Sequence, residues 1–347
     1  MTRAAIIGAG SLGTIIGALM TRGGRPVELV DTHPAHVEAL NAGGACISGQ
    51  MTLRQPVRAL TPDQMQGAYD LVFLLNKQTS NPVALAHLRQ HLHENSLVCT
   101  LQNGIPEPAV AAILGKGRTI GGAVGFGATW LGPGHSSLTT AAEVVRHHAF
   151  EIGEIDGVIR PRLTLAQDYL QQVGRTRIIE NLMGARWSKL LMNATFSGLS
   201  AALGCSFGDV LDNRTAVRSV LHIADEVVRA ARAEGHDMAP LQGEEFQRFA
   251  RPGDEAATLA MVHRIWNPHR ALRASMLQDL EKGRDTEIDF INGLVSDTGR
   301  RQGIATPFND LVTRLVRDAQ AERVVPEFGN IHRFAALLET APLPVQN

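Results

Sequence analysis

Cysteine, tyrosine and long apolar runs are all scarce in this chain, and each scarcity removes a class of function. Only three cysteines occur in 347 residues (Cys46, Cys99 and Cys205), with no CxxC pair and no Cys/His cluster. That argues against a disulfide scaffold or a structural zinc site, calls for no metal, and fits a reducing cytoplasm. No apolar run reaches the roughly 18 residues of a bilayer span, so no membrane helix is expected. The chain also opens unlike a signal peptide: after Arg3 comes a short apolar strand and then glycines, with no long apolar core. A charge bias is missing too. Lys plus Arg number 33 and Asp plus Glu 34, and neither half is polarised. A nucleic-acid footprint or a polybasic membrane surface is therefore not expected. Length and a 44% hydrophobic content suit one large or two ordinary globular domains.

Glycine, by contrast, is abundant at 34 residues and clusters early. Ala4–Ile7 forms a short apolar run that ends in Gly8-Ala9-Gly10-Ser11-Leu12-Gly13, and a helical apolar pattern follows (Leu12, Ile15, Ile16, Leu19). This is the strand–turn–helix signature of a dinucleotide-binding loop. Gly8 permits the turn, Gly10 admits a pyrophosphate to the backbone, and Gly13 lets helix and strand pack closely. The helix start then offers free N–H groups to phosphate. A second apolar strand, 27–30, ends in Asp31, 18 residues after Gly13. An acidic residue there bonds the ribose 2′-hydroxyl of NAD, although an aspartate so placed also suits a local cap. No Lys or Arg falls between Asp31 and Arg54; only His33 and His36 do. A 2′-phosphate beside Asp31 would meet like charge, which favours NADH over NADPH.

Further apolar runs at 70–75 and 95–100, and a Gly/Ala/Val-rich stretch at 118–130, alternate with helical patterns. The expected fold is α/β, with an N-terminal Rossmann-type, doubly wound parallel sheet over residues 1–180. Ligands of such sheets bind at the carboxyl ends of the strands. That edge holds Gly8 to Gly13, Asn76-Lys77-Gln78 and Gln102-Asn103-Gly104. From about residue 181 strand-like runs disappear, and an all-α domain is expected over 181–347. Its helices read as 182–203, 217–234, 256–265, 274–281, 287–302 and 310–321. Breaks fall near Pro240, Pro252-Gly253, Asn267-Pro268, Gly303 and Pro307, and the end, 342–347, reads as frayed.

One helix carries a polar stripe. Lys189, Asn193 and Ser197 stand at i, i+4 and i+8 of an otherwise apolar segment and so share a face. A snorkelling lysine on a solvent-facing helix is one reading. The other is a cation lining a cleft above an apolar floor. In a second polar cluster, 275–289, Ser275 reads as a helix N-cap. On a continuous helix Ser275 and Glu287 would stand about 18 Å apart.

The chain resembles the ketopantoate reductase (2-dehydropantoate 2-reductase) family over roughly residues 4–320. The resemblance rests on Gly8-x-Gly10-x-x-Gly13, on Lys77 after the strand 70–75, and on Leu101-Gln102-Asn103-Gly104. It rests further on Trp187-Ser188-Lys189-Leu190-x-x-Asn193, on Ser275-Met276-Leu277-Gln278-Asp279 leading to Thr286-Glu287-Ile288-Asp289, and on Gly303-Ile304-Ala305-Thr306-Pro307. It implies a cytoplasmic NAD(P)H-dependent oxidoreductase with its site in a cleft between a Rossmann and a helical domain. Lys189 would be the general acid and Glu287 its orienting partner. Asn103 would line the nicotinamide and substrate site; Asn193, Ser197 and Ser275 would hold the substrate. Gly8, Gly10, Ser11, Leu12, Gly13, Asp31, Lys77 and Asn103 would bind the cofactor.

Departures from the family pattern bear on substrate and cofactor. Ser197-Gly198 stands where an asparagine followed by proline is frequent, which enlarges the pocket. Asp31 departs from the NADP preference of the best-known members. The stretch 232–270 and the tail after Ala321 read as longer than the compact family form. The expected partner is a small 2-oxo acid, 2-dehydropantoate first, with another 2-oxo acid or aldehyde as the alternative. A non-catalytic NAD(H)-binding redox sensor is a third reading, weakened by the intact Lys189/Asn193/Glu287 set. The helical half offers a possible homodimer face, without a heptad pattern to mark one.

Overall fold

The structure is a computed structural model and describes residues 2–240, 245, 248 and 255–340. The expected break at Pro252-Gly253, the end 342–347 and part of the long stretch 232–270 lie outside the described residues. The chain forms two compact units, Met1–Leu182 and Met183–Asn347.

The first unit opens with β1 (Ala4–Ile7), α1 (Ser11–Arg22), β2 (Glu28–Val30) and α2 (Pro34–Gly43). Three short strands follow: β3 (Ala45–Gly49), β4 (Leu53–Gln55) and β5 (Arg58–Leu60). Then come β6 (Tyr69–Leu74), α3 (Asn81–Leu88), β7 (Leu92–Thr100), α4 (Glu107–Leu114) and β8 (Thr119–Val124). β9 (Ala128–Gly132), β10 (His135–Leu138), α5 (Ala142–His148), β11 (Phe150–Gly153), α6 (Leu163–Leu170) and β12 (Thr176–Ile178) complete it.

Eight strands form the main sheet in the order β12-β11-β8-β7-β6-β1-β2-β5. All neighbours are parallel except β11 and β8. The buried parts of the central strands, β1, residues 71–74 of β6 and residues 97–99 of β7, are continuous apolar runs because both faces are covered. Ile6 of β1 packs with Ile15, Ile16 and Leu19 of α1, while Ile7 packs on the opposite face with Leu85 and Leu88 of α3 and Val110 of α4. The stretch 118–130 is two strands rather than one, β8 in the main sheet and β9 in a smaller sheet of order β4-β3-β10-β9. The strands of that smaller sheet run three to five residues, too short for a period to show in the sequence.

The second unit holds α7 (Leu182–Met192), a π turn (Asn193–Gly198), α8 (Leu199–Leu203), α9 (Phe207–Asp212) and α10 (Arg214–Ala233). α11 (Glu255–Trp266), α12 (Ser275–Glu281), α13 (Asn292–Gln302), α14 (Pro307–Glu322) and α15 (Ile331–Thr340) follow, with no strand among the described residues. No helix of the described residues is long and apolar enough to cross a membrane. The amphipathic α10 is the centre of the unit: it packs against α9, α13, α14, α15 and the π turn. An aromatic cluster of Phe196, Phe207 and Trp266 fills one flank, with Phe196 stacked on Trp266 at 4.2 Å between centroids.

Two helical expectations need correction. The helix expected over 182–203 is interrupted by the π turn. The helix expected over 287–302 is a 3-10 turn, Ile288–Phe290, followed by a break at Ile291 (φ −117°, ψ −94°); the break delivers the buried Asn292 to the start of α13. The longer tail after Ala321 carries a helix of its own. α15 buries Phe334 completely, and Asn330 donates to the Ala202 carbonyl at 3.1 Å.

Candidate active site

The glycine loop between β1 and α1 has the geometry its sequence implies. Gly8 is left-handed (φ +95°), and a Cβ there would lie 2.3 Å from the Asn76 nitrogen. At Gly13 a Cβ would lie 2.1 Å from the Gly8 carbonyl oxygen, so only glycine allows the first turn of α1 to sit on the loop. Nothing lies within 4 Å of the corresponding point on Gly10. An open face of this kind is what the close approach of a pyrophosphate to the backbone requires.

Helix α1 has Gly10 as its N-cap, and no side chain caps it. The first intrahelical bond runs from the Thr14 N–H to the Gly10 carbonyl at 2.9 Å. The N–H groups of Ser11, Leu12 and Gly13 therefore have no partner among the described residues and carry the positive end of the helix dipole. This donor set suits a dianionic pyrophosphate.

His36 holds the loop from behind. Its Nδ1 accepts the Gly134 N–H at 2.9 Å, so Nε2 carries the proton and donates to the Ala9 carbonyl at 2.7 Å. The Thr14 hydroxyl donates to the same carbonyl at 2.6 Å. His36 is 2% exposed, so it braces the loop and does not face phosphate. Asp31 stands directly after β2, half-buried. Its Oδ1 accepts the His33 N–H at 3.0 Å, so the aspartate does serve as a local cap. Its Oδ2 has no partner among the described residues, which leaves one carboxylate oxygen for a ribose hydroxyl.

The ends of β1, β6 and β7 meet beside this loop. The Asn76 N–H donates to the Ile7 carbonyl at 2.9 Å, and Gln102 Nε2 donates to the Asn76 carbonyl at 2.7 Å. Gln102 Nε2 also reaches Asn81 Oδ1 at 2.7 Å, and Gln78 Nε2 donates to the Asn103 carbonyl at 2.5 Å. These buried amides fix Lys77 and Asn103, both half-buried, at the carboxyl edge of the sheet. The roles of Gln78, Asn81 and His36 were not read from sequence, because a lone amide or histidine carries no period.

In the second unit the polar stripe is visible as burial. Across residues 182–203 every residue is buried except Lys189, Met192, Asn193 and Ser197, which are half-buried. No position is exposed, so a solvent-facing helix is excluded. The π turn also changes the expected alignment. An α-helical step of four residues overshoots a full turn by about 40°. The wider π turn falls short of one, so Ser197 swings back toward the line of Lys189.

Side-chain donors serve the carbonyls around that turn. The Thr195 hydroxyl donates to the Leu191 carbonyl at 2.7 Å, and Asn292 Nδ2 donates to the Ala194 carbonyl at 3.1 Å. Asn292 lies five residues after Glu287, so this bond ties the Glu287 segment to the turn that carries Asn193. Glu287 is half-buried and stands at the N-cap position of the 3-10 turn, without a side-chain capping bond; the turn packs on α13 and α14. Ser275 is exposed and is the first residue of α12, whose N-cap is Ala274, not Ser275 as expected. α12 ends at Glu281, so Ser275 and Glu287 do not share a continuous helix. α12 packs against the π turn and α8. The cofactor set thus lies wholly in the first unit, and the Lys189 set wholly in the second.

Comparison with known proteins matches both units to one family. The family pattern described as ketopantoate reductase PanE/ApbA matches residues 4–155, and its C-terminal counterpart matches 181–320. A 2-dehydropantoate 2-reductase of Pyrococcus horikoshii is 30% identical over 317 residues, covering 90% of this chain and 95% of its own. That of Archaeoglobus fulgidus is 28% identical over 320 residues, covering 92% and 98%. Among solved structures, a PanE/ApbA family ketopantoate reductase from Ralstonia eutropha superposes with a TM-score of 0.77 at 26% identity, covering 93% of this chain and 99% of its own. A D-mandelate dehydrogenase, determined with NADH and anilino(oxo)acetate, shares the fold with a TM-score of 0.80 at 22% identity and the same coverage. The chain belongs to the ketopantoate reductase family.

Proposed function

We propose that the protein reduces 2-dehydropantoate to pantoate with NAD(P)H, using Lys189 as the general acid. The observation that carries this reading is the half-buried stripe of Lys189, Asn193 and Ser197 on an otherwise buried helix, in a chain of this family. The bound nicotinamide supplies the hydride that adds to the ketone carbon. The residues of the chain do the rest. As the carbonyl oxygen gains negative charge, the Lys189 ammonium stabilises it and gives it a proton. Proton donation of this kind is worth about 10²–10⁴-fold in rate. Glu287 orients the lysine and the substrate hydroxyl, while Asn193, Ser197 and Ser275 hold the hydroxyl and carboxylate. Asn103 lines the nicotinamide, and Lys77 lies near the cofactor.

The cofactor is held at the Gly8–Gly13 loop, with the pyrophosphate on the Ser11, Leu12 and Gly13 N–H groups. NADH is preferred. The free Oδ2 of Asp31 accepts a ribose hydroxyl, and a 2′-phosphate there would meet like charge. The enzyme acts in the cytoplasm, and the helical unit is the face for a homodimer. Initial rates of NADH and NADPH oxidation with 2-dehydropantoate and a small panel of 2-oxo acids test the reading. It expects the highest kcat/KM with 2-dehydropantoate and NADH; no turnover of any 2-oxo acid would overturn it.

A further inference from the structure

A buried chain of polar side chains runs from α10 to the π turn. Glu226 of α10 is 2% exposed, and Asn309 and Asn292 are fully buried. The Glu226 carboxylate accepts the Phe308 and Asn309 N–H groups at the start of α14, at 2.9 and 2.8 Å. It also accepts Asn309 Nδ2 at 2.7 Å. Asn309 Oδ1 in turn accepts Asn292 Nδ2 at 2.9 Å, and that amide donates on to the Ala194 carbonyl. On the far side of Asn292, a Cβ on Gly198 would lie 2.1 Å from Asn292 Oδ1. Asn292 is therefore wedged against the last residue of the π turn and bonded to its second.

A π turn breaks the regular ladder of backbone bonds, so a buried carbonyl within it needs another donor. Asn292 is that donor, and its own orientation is set by Asn309 and Glu226. We infer that Asn292 is a positioning residue, whose buried amide fixes the π turn so that Asn193 and Ser197 face the substrate at a set height beside Lys189. This rests on the functional reading above and adds to it the source of the turn's geometry. Asn292 itself touches no substrate. Gly198 is required by the same arrangement, because any side chain there would displace the amide.

Two variants test this from opposite sides. Asn292→Ala removes the donor, and Gly198→Ala leaves the donor but pushes it away. Each is expected to raise the KM for the 2-oxo acid about tenfold or more, with a smaller fall in kcat and NADH affinity within about twofold of wild type. Amide hydrogen exchange on the NADH-bound protein gives a readout independent of activity. Amides of the π turn and α8 should exchange at least about tenfold faster in both variants, while those of α10 keep their protection. Protection retained in α10 also separates local loosening from failure to fold. Unchanged exchange in the π turn, or a KM that does not move, would overturn the inference. A wild-type protein that reduces no 2-oxo acid would overturn the functional reading instead, and the exchange experiment would still decide whether Asn292 holds the turn.

Discussion

The His36 imidazole donates to the Ala9 carbonyl at 2.7 Å while its other nitrogen accepts the Gly134 N–H at 2.9 Å. One side chain thus joins α2, the glycine loop and the β9–β10 connection. Removing it strands the buried Gly134 N–H, at a cost of about 1–3 kcal/mol, and leaves the Ala9 carbonyl with the Thr14 hydroxyl as its side-chain donor. His36→Ala should lower the thermal midpoint and weaken NADH binding together, as read by melting curves and a fluorescence titration. Unchanged NADH affinity would show that the loop does not depend on this brace.

The three glycines separate folding from binding. Gly10→Ala meets nothing in the protein, so its melting temperature should match wild type while NADH affinity falls about tenfold or more. Gly13→Ala collides with the Gly8 carbonyl and should lose stability as well. Equal NADH binding by Gly10→Ala and wild type would contradict the assignment of the pyrophosphate to this face.

The proposed NADH preference rests on Asp31. Asp31→Ala should raise the NADPH:NADH ratio of kcat/KM by about tenfold, through loss of both the ribose contact and the like charge. A wild-type enzyme that already prefers NADPH strongly would contradict this.

Burial pushes Glu226 up to about 7, against the lowering effect of the N–H groups of Asn309 and Phe308. Such a carboxyl keeps its proton in the folded state after the unfolded chain has lost it. Its stabilising contribution is present below the unfolded value near 4.5 and is lost as pH rises to about 7. His222, stacked on Phe308, runs the other way. Burial, with Arg218 and Arg229, lowers it to about 4, so its contribution is lost as pH falls below about 6.5. The two slopes oppose each other across this window. Glu226→Gln removes one of them. The stability advantage of wild type over Glu226→Gln should shrink by on the order of 3 kcal/mol between pH 4.5 and 7. Urea unfolding across that range measures it, and a difference that does not vary with pH would contradict the shift.

The sequence made the cofactor loop legible because each glycine there answers a separate steric demand, and those demands recur at fixed spacing. The stripe of Lys189, Asn193 and Ser197 was legible because helical period alone puts them together. The π turn that adjusts their alignment was not, since it depends on Asn292, nearly a hundred residues later. The smaller sheet was hidden by strands too short to show alternation. α15, which packs on α10 and α14, buries only Phe334 fully among its described residues, and the helices read from the sequence stop at Ala321. Ser275 reads as a cap because serine is a preferred N-cap residue, but the non-helical backbone of the cap falls one residue earlier, at Ala274.

The central claim is that Lys189 donates the proton. Reduction of 2-dehydropantoate by wild type and by Lys189→Ala, with NADH affinity measured on both, tests it most directly. The account predicts a loss of about 10²–10⁴-fold in kcat/KM, with NADH affinity within about twofold of wild type. Normal turnover by Lys189→Ala would contradict it.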